Sequence, residues 1–265
     1  MWIMDSAYIF RLSSAYTVVS SIGVVFIIII GVPEIIHLRR SKDSSAISLS
    51  SFWIFITSLA VYSLFGLLVT NIEVVIADFL ATIVFGGQMV MIVFYSKSTR
   101  LNKTQKVISY SMIGFLVFIN TLFMGLIGGK IFGDTPGKII LAIPNSANVD
   151  ALNILGLIAN VVGAVLFLIS YFPQVISGIK KRNLPYIPFS YMIVVLIYSA
   201  LWSCAWAIEI AQFNASGNTL NLGIFSFQFI MRLPTFIMCL IQFIFWFIHH
   251  FELKAITGKK LIIWY

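Results

Sequence analysis

The sequence predicts an all-α membrane protein in which seven transmembrane helices form two parallel three-helix repeats joined by a linker helix. Three observations support this fold class. The chain is 60% hydrophobic and 10% charged, which is too apolar for a soluble domain of 265 residues. Seven apolar runs are long enough to cross a bilayer. Two stretches of the chain, separated by 140 residues, share one residue pattern.

The seven apolar runs have roughly the 20-residue length that spans the bilayer core as a helix. The predicted spans are 16–38, 50–70, 74–96, 107–127, 153–179, 187–211 and 223–249. Because nearly all residues fall in spans or short loops, the sequence leaves no room for a soluble catalytic domain. We therefore expect an integral, multi-pass protein with the lipid bilayer as one partner.

The repeat becomes visible when residues 23–63 are aligned without gaps onto residues 163–203. Nine of 41 positions are identical, and they include the small and helix-breaking pairs Gly23 with Gly163 and Pro33 with Pro173. Three spans leave the chain on the opposite side of the membrane, so a fourth is needed to restore the orientation. The sequence thus predicts repeat 1 at 16–96, a linker helix at 107–127 and repeat 2 at 153–249, as parallel repeats.

The basic residues are distributed unevenly over the loops. Thirteen of the 17 Lys and Arg residues lie between spans 1 and 2, 3 and 4, or 5 and 6, or in the C-terminal tail. The positive-inside rule then places the N-terminus outside and the C-terminus in the cytoplasm. The net charge of +8 is explained by this orientation, so we expect no nucleic-acid partner. We expect the plasma membrane rather than an organelle.

Residues 171–176 read YFPQVI and are followed by the basic residues 180–182 and by IPFS at 187–190. This pattern resembles the PQ-loop motif, and the 3 + 1 + 3 plan resembles the PQ-loop and SWEET-type transporter superfamily over nearly the whole chain. The resemblance implies a transporter that moves a small polar organic solute, such as a sugar, an amino acid or a related metabolite, by alternating access. In repeat 1, Glu34 stands where the family usually has Gln.

Pro33 and Pro173 are candidate hinges, together with Gln174 of the motif. Proline lacks the N–H that would bond to the carbonyl four residues earlier, so it kinks a helix. A static kink is the alternative, since proline is common in membrane helices. The equivalent placement of the two prolines in the two repeats favours the hinge.

The predicted solute site lies near the midplane between the repeats. Tyr62 corresponds to Trp202, and Gln88 corresponds to Gln228. The resemblance implies that an aromatic residue of the second helix and an amide of the third helix of each repeat face the solute. The alternative is that these aromatic side chains pack between helices and that the glutamines bond across them.

Arg232 lies about ten residues into the seventh span. A charge at this depth is costly, so it should face a cavity or a partner. The candidate ionic partners are Glu34, Asp78 and Glu209. The sequence leaves open whether Arg232 forms a structural ion pair or clamps a carboxylate-bearing solute.

Glu34 is also the candidate for proton coupling, because it lies beside the first hinge in an apolar segment. Asp78 and Glu209 lie near the outer ends of their spans. Carboxylates at such positions are usually solvated, and we expect that of these two.

Other classes of protein are less well supported by the sequence. A retinal protein needs a lysine in the seventh span, and residues 223–249 contain none. No catalytic constellation, metal-ligand spacing or cofactor motif is recognisable, so we expect neither an enzyme nor a cofactor. The alternative that stays open is a receptor of the same fold that binds a carboxylate-bearing peptide or ligand without transporting it. A homo-oligomer is a further candidate assembly.

Overall fold

The computed structural model describes residues 6–45, 47–69, 71–97, 99–132, 146–181, 187–216 and 219–257. All regular structure in these residues is α-helical. The eight helices are α1 (Ser6–Ile30), α2 (Val32–Ser41), α3 (Leu49–Val69), α4 (Ile72–Phe94), α5 (Lys103–Phe132), α6 (Ser146–Lys181), α7 (Phe189–Ser216) and α8 (Thr219–Thr257).

Seven segments are long and apolar enough to cross a membrane, with α1 and α2 together forming the first. The all-α membrane class and the number of spans are therefore confirmed. The first helix begins well before the predicted residue 16. Polar side chains allow this extension, because a hydroxyl can bond back to the preceding turn, as Ser14 Oγ does to the carbonyl of Phe10 at 3.0 Å. The last helix continues past residue 249 to Thr257.

The two prolines lie in different local structures. Gly31 separates α1 from α2, and Pro33 occupies the first turn of α2, where its missing N–H costs nothing. The chain continues as a helix after this bend, with the N–H of Ile35 bonded to the carbonyl of Gly31 at 3.0 Å. Pro173 instead lies inside the unbroken helix α6. The two corresponding prolines thus lie just after a break between helices in one half and inside a continuous helix in the other.

The helices pack in a crossed arrangement. Helix α1 packs on α7, and α3 packs on α6. Helix α4 contacts α1, α2 and α3, while α8 contacts α6 and α7. Helix α5 lies against α3 and α4. The main core is apolar and fills the space between α1, α3, α4, α6, α7 and α8.

Two ends of the bundle can be distinguished by their charge. We call the end where α2 is followed by α3, and α4 by α5, the basic end, because Arg39, Arg40, Lys97, Arg100 and Lys103 lie there. The C-terminus of α6 lies at the same end. The other end is called the opposite end.

Candidate functional site

A small cavity surrounds Arg232 in the half of the bundle nearer the opposite end. Its volume is about 10 Å³, roughly the space that one water molecule needs. We call it the arginine cavity. It is lined by side chains of α3, α4, α7 and α8, namely Tyr62, Val74, Ala77, Asp78, Tyr198, Trp202, Trp206 and Arg232. Three of the residues predicted to bind solute, Tyr62, Trp202 and Arg232, are therefore brought together.

The Arg232 guanidinium lies against aromatic rings and near a carboxylate. Its central carbon is 3.9 Å from the ring centre of Phe167 and 5.1 Å from that of Tyr62. It also interacts electrostatically with Asp78 and with the hydroxyls of Tyr62 and Tyr198. Of the three predicted ionic partners, Asp78 is the one that the fold places beside Arg232. Cation–π contacts and an opposite charge together make the buried cation tolerable.

Several polar atoms of the residues that line this cavity have no hydrogen-bond partner among the described residues. Arg232 Nε, Asp78 Oδ2 and Trp202 Nε1 are all buried and all lack one. Two of these atoms are donors and one is an acceptor. Buried groups of this kind are normally satisfied. A polar group placed here, whether of water or of a solute, would therefore be held from several sides.

Glycines bring the first helix of each half close to the aromatic residue of the other half. A Cβ atom at Gly23 of α1 would lie 3.1 Å from Trp202 Nε1. A Cβ atom at Gly163 of α6 would lie 3.2 Å from Tyr62 Cδ1. Gly23 corresponds to Gly163, and Tyr62 corresponds to Trp202, so the two contacts are equivalent under the 140-residue shift. The glycines are needed for close approach rather than for a backbone turn.

Gln88 lies apart from the arginine cavity and is bonded to Glu34. Its amide donates a hydrogen bond to the Glu34 carboxylate, and both side chains are buried. The Gln88 carbonyl oxygen, Oε1, accepts no hydrogen bond from the part of the chain that the structure describes. The backbone of Gly31 also packs closely against α4, because a Cβ at this residue would overlap Val84 Cγ1, and it would lie 3.4 Å from Gln88 Oε1. The predicted solute-binding amide and the predicted proton-coupling acid thus form one pair.

Gln228 lies in α8, but its side chain is outside the part of the structure that is described.

A second cavity, which the sequence interpretation missed, lies closer to the basic end. Its volume is about 40 Å³, and we call it the glutamine cavity. It is lined by residues of six helices, namely Ile30, Ser51, Phe52, Phe55, Phe85, Ser170, Tyr171, Gln174, Tyr191 and Gln242. Ser51 Oγ and Gln242 Nε2 are buried without a partner. Serines at the ends of apolar runs give no sequence signal of their own. The available clue was that Ser51 corresponds to Tyr191 under the 140-residue shift.

Aromatic rings separate the two cavities. Phe55, which lines the glutamine cavity, has its ring centre 5.3 Å from that of Phe167. Phe167 in turn carries the Arg232 guanidinium on its face. Phe85 and Tyr171 extend this layer, at 4.5 Å and 6.4 Å from the Phe55 ring centre. Both cavities are far smaller than the roughly 300–1,000 Å³ of drug-sized ligand sites.

Gln174 of the predicted hinge motif fastens α6 to the start of α3. Its side-chain oxygen accepts a hydrogen bond from the backbone N–H of Ser48 at 2.8 Å. The equivalent bond in the other half would join Glu34 to residue 188. Residue 188 is Pro, which has no N–H. Glu34 therefore cannot make this bond to the backbone, and its carboxylate accepts a hydrogen bond from Gln88 instead.

The expectation that Asp78 and Glu209 are solvated is wrong. Asp78 is 6% exposed and Glu209 is 7% exposed. Asp78 is covered because the aromatic lining of the arginine cavity closes over it. Glu209 is hydrogen-bonded to Tyr16 of α1, whose hydroxyl also accepts a bond from Asn71 Nδ2 at 3.2 Å. Span ends are solvated only where no neighbouring helix covers them, and here the helices extend further than the apolar runs.

Comparison of the chain with protein-family models, with curated proteins and with solved structures finds no match. The functional argument therefore depends on the geometry described above.

Proposed function

We propose that the protein is a membrane transporter that moves a small polar organic solute by alternating access. The observation that carries this proposal is the position of the glutamine cavity. It lies among helices of both proposed repeats, and its lining includes two pairs of corresponding positions, Ile30 with Ser170 and Ser51 with Tyr191. A cavity on the axis that relates two repeats is the usual place for a transported solute.

The packing of the helices supports a 3 + 1 + 3 plan, with α5 as the linker. Shifting the chain by 140 residues exchanges the α1–α7 contact with the α3–α6 contact. The same shift relates α4 to α8. The contacts of α4 with α1 and α3 correspond to the contacts of α8 with α6 and α7. The paired contacts of Gly23 and Gly163 follow the same rule. On this basis we propose that the chain is a divergent member of the PQ-loop and SWEET-type superfamily.

The two cavities and the aromatic layer between them support a transport path. A solute that passes from one end of the bundle to the other has to cross Phe55 and Phe167. Both cavities have to widen before such a solute can pass, because their volumes are about 40 and 10 Å³. Alternating access then requires the repeats to move apart at one end at a time, with Pro33 and Pro173 as the hinges.

The arginine cavity favours a charged solute over a neutral sugar. Arg232 and Asp78 present opposite charges to the same small space. A zwitterion, such as an amino acid, has a carboxylate for Arg232 and Trp202 Nε1 and an ammonium group for Asp78. Tyr62 and Tyr198 add hydroxyls that both donate and accept. We therefore propose an amino acid or a related metabolite as the solute.

We also propose that Glu34 carries a proton. A carboxylate buried at this depth without a cation is costly, and a protonated Glu34 could donate to the unpartnered Gln88 Oε1. The titratable groups near it are Tyr191 of α7, which it influences electrostatically, and His37 of α2. We expect transport by the wild type to depend on pH and transport by Glu34→Gln to be independent of pH. An unchanged pH profile in Glu34→Gln would exclude this role.

The receptor remains the alternative, and a transport measurement separates the two. The purified protein would be reconstituted into liposomes loaded with unlabelled amino acids or sugars, and the accumulation of the labelled solute would be measured. A transporter accumulates its solute by counterflow, whereas a receptor gives no accumulation with any solute. We place the N-terminus outside and the basic end in the cytoplasm, in the plasma membrane.

A further inference from the structure

A third cavity lies at the basic end, outside the apolar core. Its volume is about 400 Å³, ten times that of the glutamine cavity. It is formed by the segment that leads into α3, by the loop between α4 and α5, and by the C-terminal part of α6. The lining residues are Ser45, Ile47, Ser48, Leu49, Ser50, Arg100 and Ser177. We call it the serine cavity.

Arg100 lines the serine cavity, and two backbone carbonyls hold its side chain in place. Its two terminal nitrogens donate to the carbonyls of Ser44 and Ile47, at 2.7 and 2.6 Å. A guanidinium has five N–H groups, so these two bonds fix its position and leave donors for another group. Burial lowers the pKa of Arg100, and the nearby Asp43 carboxylate opposes this change. The cation therefore lies where an anion would stabilise it.

Hydroxyl groups of three serines complete the set of donors. Ser48 Oγ and Ser50 Oγ lie 3.1 Å apart, so one of the two hydroxyls is left to donate elsewhere. Ser177 approaches from α6. The first backbone N–H groups of α3 lie at the same place, and a helix N-terminus favours negative charge.

The acidic residue in this region is engaged by its own loop. Asp43 accepts the backbone N–H and the hydroxyl of Ser45, at 2.9 and 3.0 Å. Together these two bonds hold the pKa of Asp43 below its usual range, and the bond from the Ser45 N–H has the larger effect. Lys97 and Arg100 both interact with it electrostatically, so the immediate surroundings keep an excess of positive charge.

We propose that the serine cavity binds a phosphate monoester group between α3 and α6, through Arg100, Ser48, Ser50 and Ser177. The donors approach from three separate segments of the chain, so a ligand needs several oxygens to bond to all of them. A phosphate monoester has three such oxygens. The cavity lies at the end of the bundle where lipid headgroups meet the protein. Two sources are chemically equivalent at the site, the headgroup of an anionic lipid and a phosphate compound in solution. The serine cavity is distinct from the arginine and glutamine cavities, and binding of phosphate to it can be measured whether or not the protein transports a solute.

Thermal unfolding of the purified full-length protein tests this proposal. The protein would be titrated with inorganic phosphate in one series and reconstituted into phosphatidylcholine vesicles with or without phosphatidic acid in another. We expect at least one anion to raise the unfolding temperature. A rise with inorganic phosphate indicates a soluble ligand, and a rise with phosphatidic acid alone indicates a lipid headgroup. No rise in either series would overturn the proposal.

Two variants test the residues, with a matched control. Arg100→Gln should weaken binding by about tenfold or more, the scale of a charge-assisted hydrogen bond. Because Arg100 also holds two carbonyls, Ser177→Leu provides a second variant, which fills the cavity and leaves those bonds intact. Arg39→Gln removes an exposed arginine of α2 from the same end of the bundle and should bind like the wild type. Equal losses in Ser177→Leu and Arg39→Gln, or no loss in Ser177→Leu, would contradict the site.

Discussion

At the residue scale, the contacts of Gly23 and Gly163 are the most specific feature of the bundle. Adding a methyl group at either position forces Trp202 or Tyr62 to move, since the nearest atoms would lie at 3.1 and 3.2 Å. Gly114 of α5 offers a control, because a Cβ there meets nothing within 4 Å.

We predict that Gly23→Ala and Gly163→Ala lower the unfolding temperature, while Gly114→Ala leaves it unchanged or raises it. The expected gain at Gly114 is about 0.5–1 kcal/mol, because alanine is the better helix former. Thermal unfolding in one detergent compares all three variants. Equal effects at the three glycines would show that close approach is unimportant.

The Arg232–Asp78 pair gives a second prediction at this scale. Removing one charge leaves the other buried without the group that interacts with it electrostatically, which destabilises the fold. Arg232→Gln and Asp78→Asn should therefore each lower stability, and the double variant should recover much of the loss. If both residues also bind the solute, the double variant should be folded but inactive in counterflow. A folded double variant with normal transport would place the solute elsewhere.

Some of these residues were predictable from the sequence and others were not. The depth of Arg232 and the correspondence of Tyr62 with Trp202 were sufficient to group these three residues. The pairing of Glu34 with Gln88 was not predictable, because the two residues are 54 positions apart and meet only through the packing of α2 on α4. The burial of Asp78 and Glu209 depends on neighbouring helices, and single-sequence hydropathy contains no information about them.

At the element scale, the two prolines differ in a way that the sequence did not reveal. Pro33 follows the bend at Gly31, whereas Pro173 lies within α6. The difference has a physical basis, since Gly31 corresponds to Tyr171. Glycine is a weak helix former, and a partly buried tyrosine that contacts Phe55 and Phe167 is held in place by packing. The number and order of the spans were predictable because long apolar runs are unambiguous. Helix ends, which polar side chains extend, were not.

We predict that both Pro33→Ala and Pro173→Ala lower the turnover of transport more than the affinity for the solute. Alanine restores an N–H that can bond to the preceding turn, which stiffens the hinge. Initial rates over a range of solute concentrations separate the two parameters. Unchanged rates in well-expressed variants would identify both prolines as static kinks.

At the scale of the whole molecule, the proposed orientation places the basic end in the cytoplasm. We predict that a cysteine introduced at Lys42 is protected from a membrane-impermeant maleimide added to intact cells and becomes reactive when the cells are opened. The exposed native Cys204 would first be replaced by serine. Labelling of the introduced cysteine in intact cells would reverse the proposed topology.

We propose that the two halves move apart at the basic end during transport, and a reversible cross-link between them tests this movement. Cysteines at Ser48 and Ser177 in a Cys204→Ser background would be joined by a reducible bismaleimide, which holds α3 against α6. Counterflow of the solute would be measured before cross-linking, after it, and after reduction of the linker. We expect normal transport before cross-linking, loss of transport after it, and recovery of transport once the linker is reduced. Transport that continues at full rate through the cross-linked protein would contradict it.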